Sequence, residues 1–261
     1  VYQDEREFMG RASVMTMGTF DGVHAGHRAL IHCALEKARA LGVPAVVYTY
    51  DRNPLAALCP QRAPVPLMTL EEKLAALEKL GVDGVVVRRF TREFAAIEAE
   101  AFLQRVCEAL KPRAIVVGYN NTFGARGAGT AQTVESFCAQ RGIEAIVVPP
   151  VERDGAAVSS TRIRASLRAG DLAPVERELG RRYLVRGRVK SGRGEGTGMG
   201  FPTANIAVDG SLQLPAEGVY EGLALVRGEV WPAGASQMLS MPAARAHPTS
   251  EERLSPMSTA S

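Results

Sequence analysis

Five short apolar runs, each set off from the next by an amphipathic helical pattern, constrain the fold of this chain more than any other feature. The runs are Ser13–Gly18, Val43–Tyr50, Val82–Val87, Ala114–Gly118 and Ile143–Val148, each with several β-branched or aromatic residues. They are too continuous for half-solvated edges and read as strands covered on both faces, as in a parallel sheet. Between them, one helix is expected from about Arg28 to Leu41, and another places Leu70, Leu74, Leu77 and Leu80 on one face. Two more helical patterns run over roughly Glu98–Leu110 and Gln132–Gln140. Strands alternating with helices predict a doubly wound α/β domain, in which ligands gather at the carboxyl ends of the strands.

The pattern changes near residue 180. Short β-like segments follow at Tyr183–Lys190, Ala204–Val208 and Val219–Val226, separated by loops in which residues 192, 194, 196, 198 and 200 are all glycine. That spacing predicts a small antiparallel β-domain or barrel. Beyond Gly234 the chain is rich in Ser, Ala and Pro without a period, and residues 235–261 are expected to be a disordered or non-native tail. A length of 261 residues therefore divides into an α/β domain at 1–180, a β-domain at 181–234 and the tail.

Composition excludes several classes. Hydrophobic residues at 46% rule out disorder of the whole chain, and a net charge of +3 is too small to mark a nucleic-acid or membrane footprint. No apolar run approaches the ~20 residues that span a bilayer. The opening VYQDEREFMG has no signal-peptide core, although a chain that starts on Val is expected to have a missing or processed N-terminus. Cys33, Cys59, Cys107 and Cys138 show no paired spacing, so reduced thiols and a cytoplasmic location are expected, with small molecules as partners.

The strongest chemical signal is Met17-Gly-Thr-Phe-Asp-Gly-Val-His-Ala-Gly-His27, directly after the first strand. Gly18 and Gly22 let the backbone bend towards a ligand, and the following helix turns its free N–H groups on that loop, a ready anion site. His24 and His27 sit three apart at this helix start, where both imidazoles reach one phosphate, and Gly26 removes a Cβ that would crowd a nucleotide. A helix cap with incidental histidines, or half a metal site, is the plainer alternative. A Walker A loop is excluded because no Gly-Lys pair occurs, and the 192–200 glycines lack the Gly-x-Gly-x-x-Gly spacing. A second signal, Val158-Ser-Ser-Thr-Arg-Ile-Arg164, combines helix-capping hydroxyls with two arginines, and by itself could equally be an ordinary cap.

Taken together, Gly18–His27, Val117-Gly-Tyr-Asn-Asn-Thr-Phe-Gly124, Val158–Arg164 and Gly200-Phe-Pro-Thr-Ala-Asn-Ile206 with Gly218-Val-Tyr220 resemble, in order, the bacterial bifunctional riboflavin kinase/FMN adenylyltransferases, or FAD synthetases. These belong to the His-x-Gly-His nucleotidyltransferases. The resemblance implies a Rossmann-like doubly wound parallel sheet followed by a partial antiparallel β-barrel of riboflavin kinase type. It implies AMP transfer from ATP to FMN, giving FAD and pyrophosphate, with Mg²⁺ screening the triphosphate. His24, His27 and Arg164 would be catalytic; Gly18, Phe20, Asp21, Gly22, Asn120, Ser160 and Thr161 would bind the nucleotide. Thr203 and Asn205 would hold Mg²⁺ and ATP phosphates in the kinase-like domain.

The chain departs from the family in two places. In Tyr48-Thr-Tyr-Asp-Arg-Asn-Pro54 the family usually has Phe at Tyr50 and His at Asn53, which bears on the flavin side of the site. After Trp231-Pro-Ala-Gly234 the resemblance stops before the family's catalytic glutamate, as if truncated or frame-shifted; Glu251 and Glu252 stand in an unrelated context. Conversion of riboflavin to FMN is therefore expected to be lost. Two other functions remain open, namely another nucleotidyltransferase of the same fold and a non-catalytic flavin- or nucleotide-binding remnant.

Overall fold

The computed structural model describes residues 1–8, 12–190, 204–208, 211–237 and 252–256. Its chain contacts separate two compact units, Val1–Ser160 with Arg177–Gly180, and Thr161–Glu176 with Arg181–Ser261.

The first unit is built on a parallel sheet. β1 (Ser13–Met17), β2 (Ala45–Tyr50), β3 (Gly84–Arg88), β4 (Pro112–Gly118) and β5 (Glu144–Val148) lie in the order β3-β2-β1-β4-β5. All four pairings are parallel. The chain thus starts at the centre, winds to one side through β2 and β3, then returns to β4 and β5. Its switch point lies between β1 and β4, where an open α/β sheet forms its crevice.

Helices cover both faces because successive strand residues point to opposite sides. Val14 of β1 packs with Ile31, Ala34 and Leu35 of α1 (Ala25–Leu41), and Met15 and Met17 pack into the cluster that holds Phe102, Leu103 and Val106. Short α2 (Pro54–Leu58) follows β2, and α3 (Leu70–Lys79) opens on a capping box between Thr69 and Glu72. α4 (Arg92–Ala95) and α5 (Ala99–Leu110) precede β4; α6 (Ala131–Ala139) precedes β5. A two-strand hairpin of β6 (Glu152–Arg153) and β7 (Ala156–Ala157) then leads to α7 (Ser160–Arg168) and α8 (Leu172–Leu179). A buried ion network also ties the amino-terminal turn to the sheet. Glu5, fully buried, pairs with Arg105 of α5 and accepts from the Tyr48 hydroxyl at 3.2 Å, while Asp4 pairs with Arg88.

The second unit is antiparallel. β8 (Gly187–Lys190), β9 (Ala204–Val208), β10 (Gly218–Val226), β11 (Glu229–Gln237) and β12 (Glu252–Pro256) take the order β10-β11-β12-β9-β8. Residues 161–176 group with this unit rather than with 1–160: the Ala216 N–H donates to the Leu167 carbonyl at 2.9 Å, and the Tyr220 hydroxyl lies against Gly170. The stretch expected to be a structureless tail contributes pairing. β11 extends to Gln237, and β12 is hydrogen-bonded to both β11 and β9. A five-residue strand containing Ser and Pro shows no readable alternation, and only its neighbours define its register.

Candidate active site

The loop from Gly18 to His24 leaves the carboxyl end of β1 in a strained path. Phe20, Gly22 and Val23 all have positive φ, at 51°, 85° and 43°. For a β-branched residue such as Val23 that is a rare conformation, which persists only where the surroundings over-determine it. Those surroundings are explicit. Phe20 and Val23 are buried. The Asp21 carboxylate accepts the Leu67 N–H at 3.0 Å, the Gly22 N–H donates to the Met68 sulfur at 3.2 Å, and the Ser160 hydroxyl donates to the Asp21 carbonyl at 2.9 Å. A Cβ at Gly22 would come within 2.9 Å of Leu67. Asp21 and Gly22 therefore shape the loop, and Gly18, Thr19, Phe20 and His24 line a cavity.

His24 ends the loop as the N-cap of α1: its Nδ1 accepts the His27 N–H at 3.4 Å. This explains why the helix begins at Ala25, three residues earlier than its apolar pattern. The two imidazoles stack, with centroids 3.6 Å apart and planes 18° from parallel, and Phe20 meets His27 edge-on at 5.2 Å. A Cβ on Gly26 would press on the His24 ring at 3.2 Å, so glycine permits the stack. Burial, then the neighbouring His24, then Lys73 hold the His27 imidazole well below its ordinary pKa. It is neutral near pH 7, and its buried Nδ1 has no hydrogen-bond partner.

These residues open into a cavity of about 690 Å³. Gly18, His24, His27 and Ser160 line one part of it, and Asn120 reaches it from the end of β4. Another part of the wall is aromatic, formed by Tyr50, Phe90, Phe94, Phe102 and Phe123. They touch edge-on or tilted, with Tyr50–Phe90 at 5.1 Å and Phe102–Phe123 at 5.7 Å. Asn53, where the resembled family has His, also lines the cavity, and its Oδ1 accepts the Leu55 N–H at 2.9 Å as the N-cap of α2. Its side chain is thus occupied in starting a helix.

Not every expected residue falls here. Thr161 and Arg164 lie on α7, Arg164 buried. Asn205 lies in β9 of the antiparallel unit, its Oδ1 buried without a hydrogen-bond partner, and Thr203 lies outside the described residues. Conversely, of the aromatic wall the sequence pointed to Tyr50 and, within a quoted segment, Phe123, but not to Phe90, Phe94 or Phe102, nor to Arg126 at the cavity or the buried Lys73 behind the loop. Among the described residues no group of three or more His, Cys, Asp or Glu could hold a metal ion.

The chain matches the FAD synthetase family over residues 8–162 and the riboflavin kinase family over 179–251. It is 36% identical over 217 residues to the bifunctional riboflavin kinase/FMN adenylyltransferase of Listeria monocytogenes, covering 83% of this chain and 69% of the relative. The chain belongs to this family. The Bacillus subtilis and Escherichia coli K12 members are 34% and 35% identical, over 84% and 83% of this chain and 69% of each relative. The FAD synthetase match spans the parallel sheet and its cavity. The riboflavin kinase match runs past residue 234, where the resemblance read from motifs alone stops. A solved Streptococcus pneumoniae chain described as a macrolide-efflux protein superposes with a TM-score of 0.87 at 29% identity, covering 96% of this chain and 81% of that one. Among the described residues of this family member no helix is long and apolar enough to cross a membrane.

Proposed function

We propose that this chain transfers AMP from ATP to FMN, giving FAD and pyrophosphate. The observation that carries the reading is one cavity with the stacked His24 and His27 at the start of α1 at one end, a place suited to phosphate, and aromatic side chains suited to a flavin ring in its wall. A phosphate oxygen of FMN attacks the α-phosphorus of ATP as the bond to the β-phosphate oxygen breaks. FMN phosphate is already ionised, so no general base is needed, and catalysis is positioning with charge stabilisation. N–H groups at the start of α1 and the imidazoles meet the charge that collects on the leaving pyrophosphate. Gly18, Phe20 and Ser160 hold the nucleotide's place, and Asn120 reaches the base or ribose. Magnesium would enter with the triphosphate, whose oxygens and waters supply most of its ligands, and would screen phosphate charge.

For the antiparallel unit we propose that riboflavin phosphorylation is lost. Exposed apolar side chains that share one face of β10 and β11, Val219, Leu223, Leu225 and Val230, support this reading, since a sheet face open to water encloses no flavin. Asn205 still fits a cation: its buried Oδ1 is an acceptor with no donor, and with Thr203 it would hold Mg²⁺ there. Incubation with ATP, Mg²⁺ and either FMN or riboflavin, with flavins resolved by chromatography, tests both statements. FAD from FMN and no FMN from riboflavin is the expected result. FMN formed from riboflavin would reinstate the kinase, and no FAD from FMN would sink the main reading. Loss of FAD synthesis in a folded His27→Ala variant separates an enzyme from a binding remnant.

A further inference from the structure

Of the chain's five lysines, Lys73 alone is buried. It stands on α3 between Leu70 and Leu77, on the stripe that faces the sheet. A buried ammonium is costly unless its three donors are met. All three are met by the chain itself: Nζ donates to the Tyr50 carbonyl at 2.7 Å, the Thr19 carbonyl at 3.1 Å and the Thr49 hydroxyl oxygen at 3.2 Å. The Thr49 hydroxyl in turn donates to the Thr19 carbonyl at 3.2 Å. No donor is left for a ligand, so the ammonium acts as a brace.

What it braces matters. Thr19 precedes Phe20, the first strained residue of the phosphate loop, and Tyr50 is the last residue of β2 and part of the aromatic wall. Both line the cavity. We infer that Lys73 is a positioning residue for adenylyl transfer, holding the phosphate loop at Thr19 and the aromatic wall at Tyr50 to one fixed spacing. The inference rests on the FMN adenylyltransferase reading for its reaction, though not for its effect on nucleotide affinity.

The charged groups around the ammonium give the brace a pH dependence. Asp21 from the loop and Asp51 beyond β2 favour its charge, and His27 of α1 faces it as a neutral ring. Burial outweighs the two carboxylates and lowers the Lys73 pKa to about 8. Above that pH one of the three acceptors loses its donor, and the loop is held less firmly. Stability moves the other way. The folded pKa is depressed, so from about pH 8 to about 10.5 the unfolded chain binds more protons and Lys73 makes the fold more stable as pH rises.

The test compares Lys73→Met and Lys73→Arg with the unaltered chain. ATP affinity is measured by calorimetry with Mg²⁺, and KM and kcat are measured in FAD formation. A brace predicts that Lys73→Met weakens ATP and raises KM for both ATP and FMN by about 10- to 100-fold, the size expected for hydrogen bonds to a charged group. Lys73→Arg should recover part of this. A purely structural lysine would lower the active fraction, hence kcat, at unchanged KM; that result overturns the proposal. If Lys73→Met fails to fold, the unaltered chain decides. ATP affinity falling through pH 8 without loss of thermal stability supports the brace, and affinity that stays flat from pH 7 to 9.5 overturns it. Absence of FAD in the unaltered chain would remove the function reading, while the ATP calorimetry would still judge Lys73.

Discussion

In the parallel sheet every residue of β1 and β2 is buried, whereas along β10 burial alternates, and Val219 and Leu225 stay 83% and 71% exposed. The first unit clamps its inner strands between helices and so fixes the carboxyl ends of β1, β2 and β4 with little freedom. That rigidity lets a loop with three positive φ angles persist, and with it a histidine pair in stacked contact. In the second unit the described strand β10 is held by its antiparallel ladder to β11 along its whole length, with its apolar positions alternately exposed. Strained, pre-organised chemistry belongs to the unit with two covered faces.

The largest expected effect breaks this contrast directly. Leu103 is fully buried in the cluster beneath the aromatic wall. Leu103→Ala should cost about 2–5 kcal/mol in urea unfolding of the first unit, through lost transfer energy plus a cavity. Val219→Ala should stay within about 0.5 kcal/mol, as surface changes do. Equal costs would mean that β10 is covered in solution.

Next in size is the histidine stack. His24→Asn keeps an N-cap for α1 but removes the imidazole. FAD formation should fall about 100-fold with thermal stability nearly unchanged, while His24→Ala should lose the same rate and about 1 kcal/mol of stability besides. If the asparagine variant retains its rate, His24 serves only as a cap.

Legibility from sequence follows the same division. Strands β1 to β4 announce themselves because a strand covered on both faces has few polar positions to interrupt it, whereas β5, expected to be equally covered, is only partly buried at the edge of the sheet. Their predicted and observed limits differ by at most two residues at Ser13–Met17, Ala45–Tyr50, Gly84–Arg88, Pro112–Gly118 and Glu144–Val148. The His-x-Gly-His loop was readable for a local reason, since its residues are neighbours in the chain. Most of the aromatic wall was not, because Phe90, Phe94 and Phe102 come from separate elements and join Tyr50 and Phe123 only through the fold. Lys73 did leave a signal: with Leu70 and Leu77 it occupies positions i+3, i and i+7 of an otherwise apolar helix face, a place where an unpartnered charge would be costly. Strand β12 left none.

A proton balance sharpens the site further. His27 is held well below its ordinary pKa by burial, so its imidazole is neutral before ligand arrives. A triphosphate nearby favours the charged form and raises that pKa. Between the two values, ATP binding takes up a proton, and affinity should strengthen as pH falls from 7 towards 6. Calorimetry in buffers of different ionisation enthalpy should show net uptake at pH 6 that disappears in His27→Gln. Uptake unchanged in that variant would assign the proton elsewhere.

The smallest effect compares two hairpins, one in each unit. Asp154-Gly155 joins β6 to β7 with φ of 53° and 72°, and Arg227-Gly228 joins β10 to β11 with φ of 51° and 89°. Both are two-residue turns with positive φ at each central position, the geometry that favours Asn or Asp followed by Gly. Asp154 suits its place; Arg227 does not, because a long side chain gains nothing locally from the left-handed region. Arg227→Asn should therefore stabilise the β10–β11 hairpin by about 0.5 kcal/mol. Slower amide exchange across Gly218–Gln237 would show it, with rates in β1 to β5 unmoved. Slower exchange in both sheets would instead mean that the two units unfold together, and the contrast between them would hold for burial but not for stability.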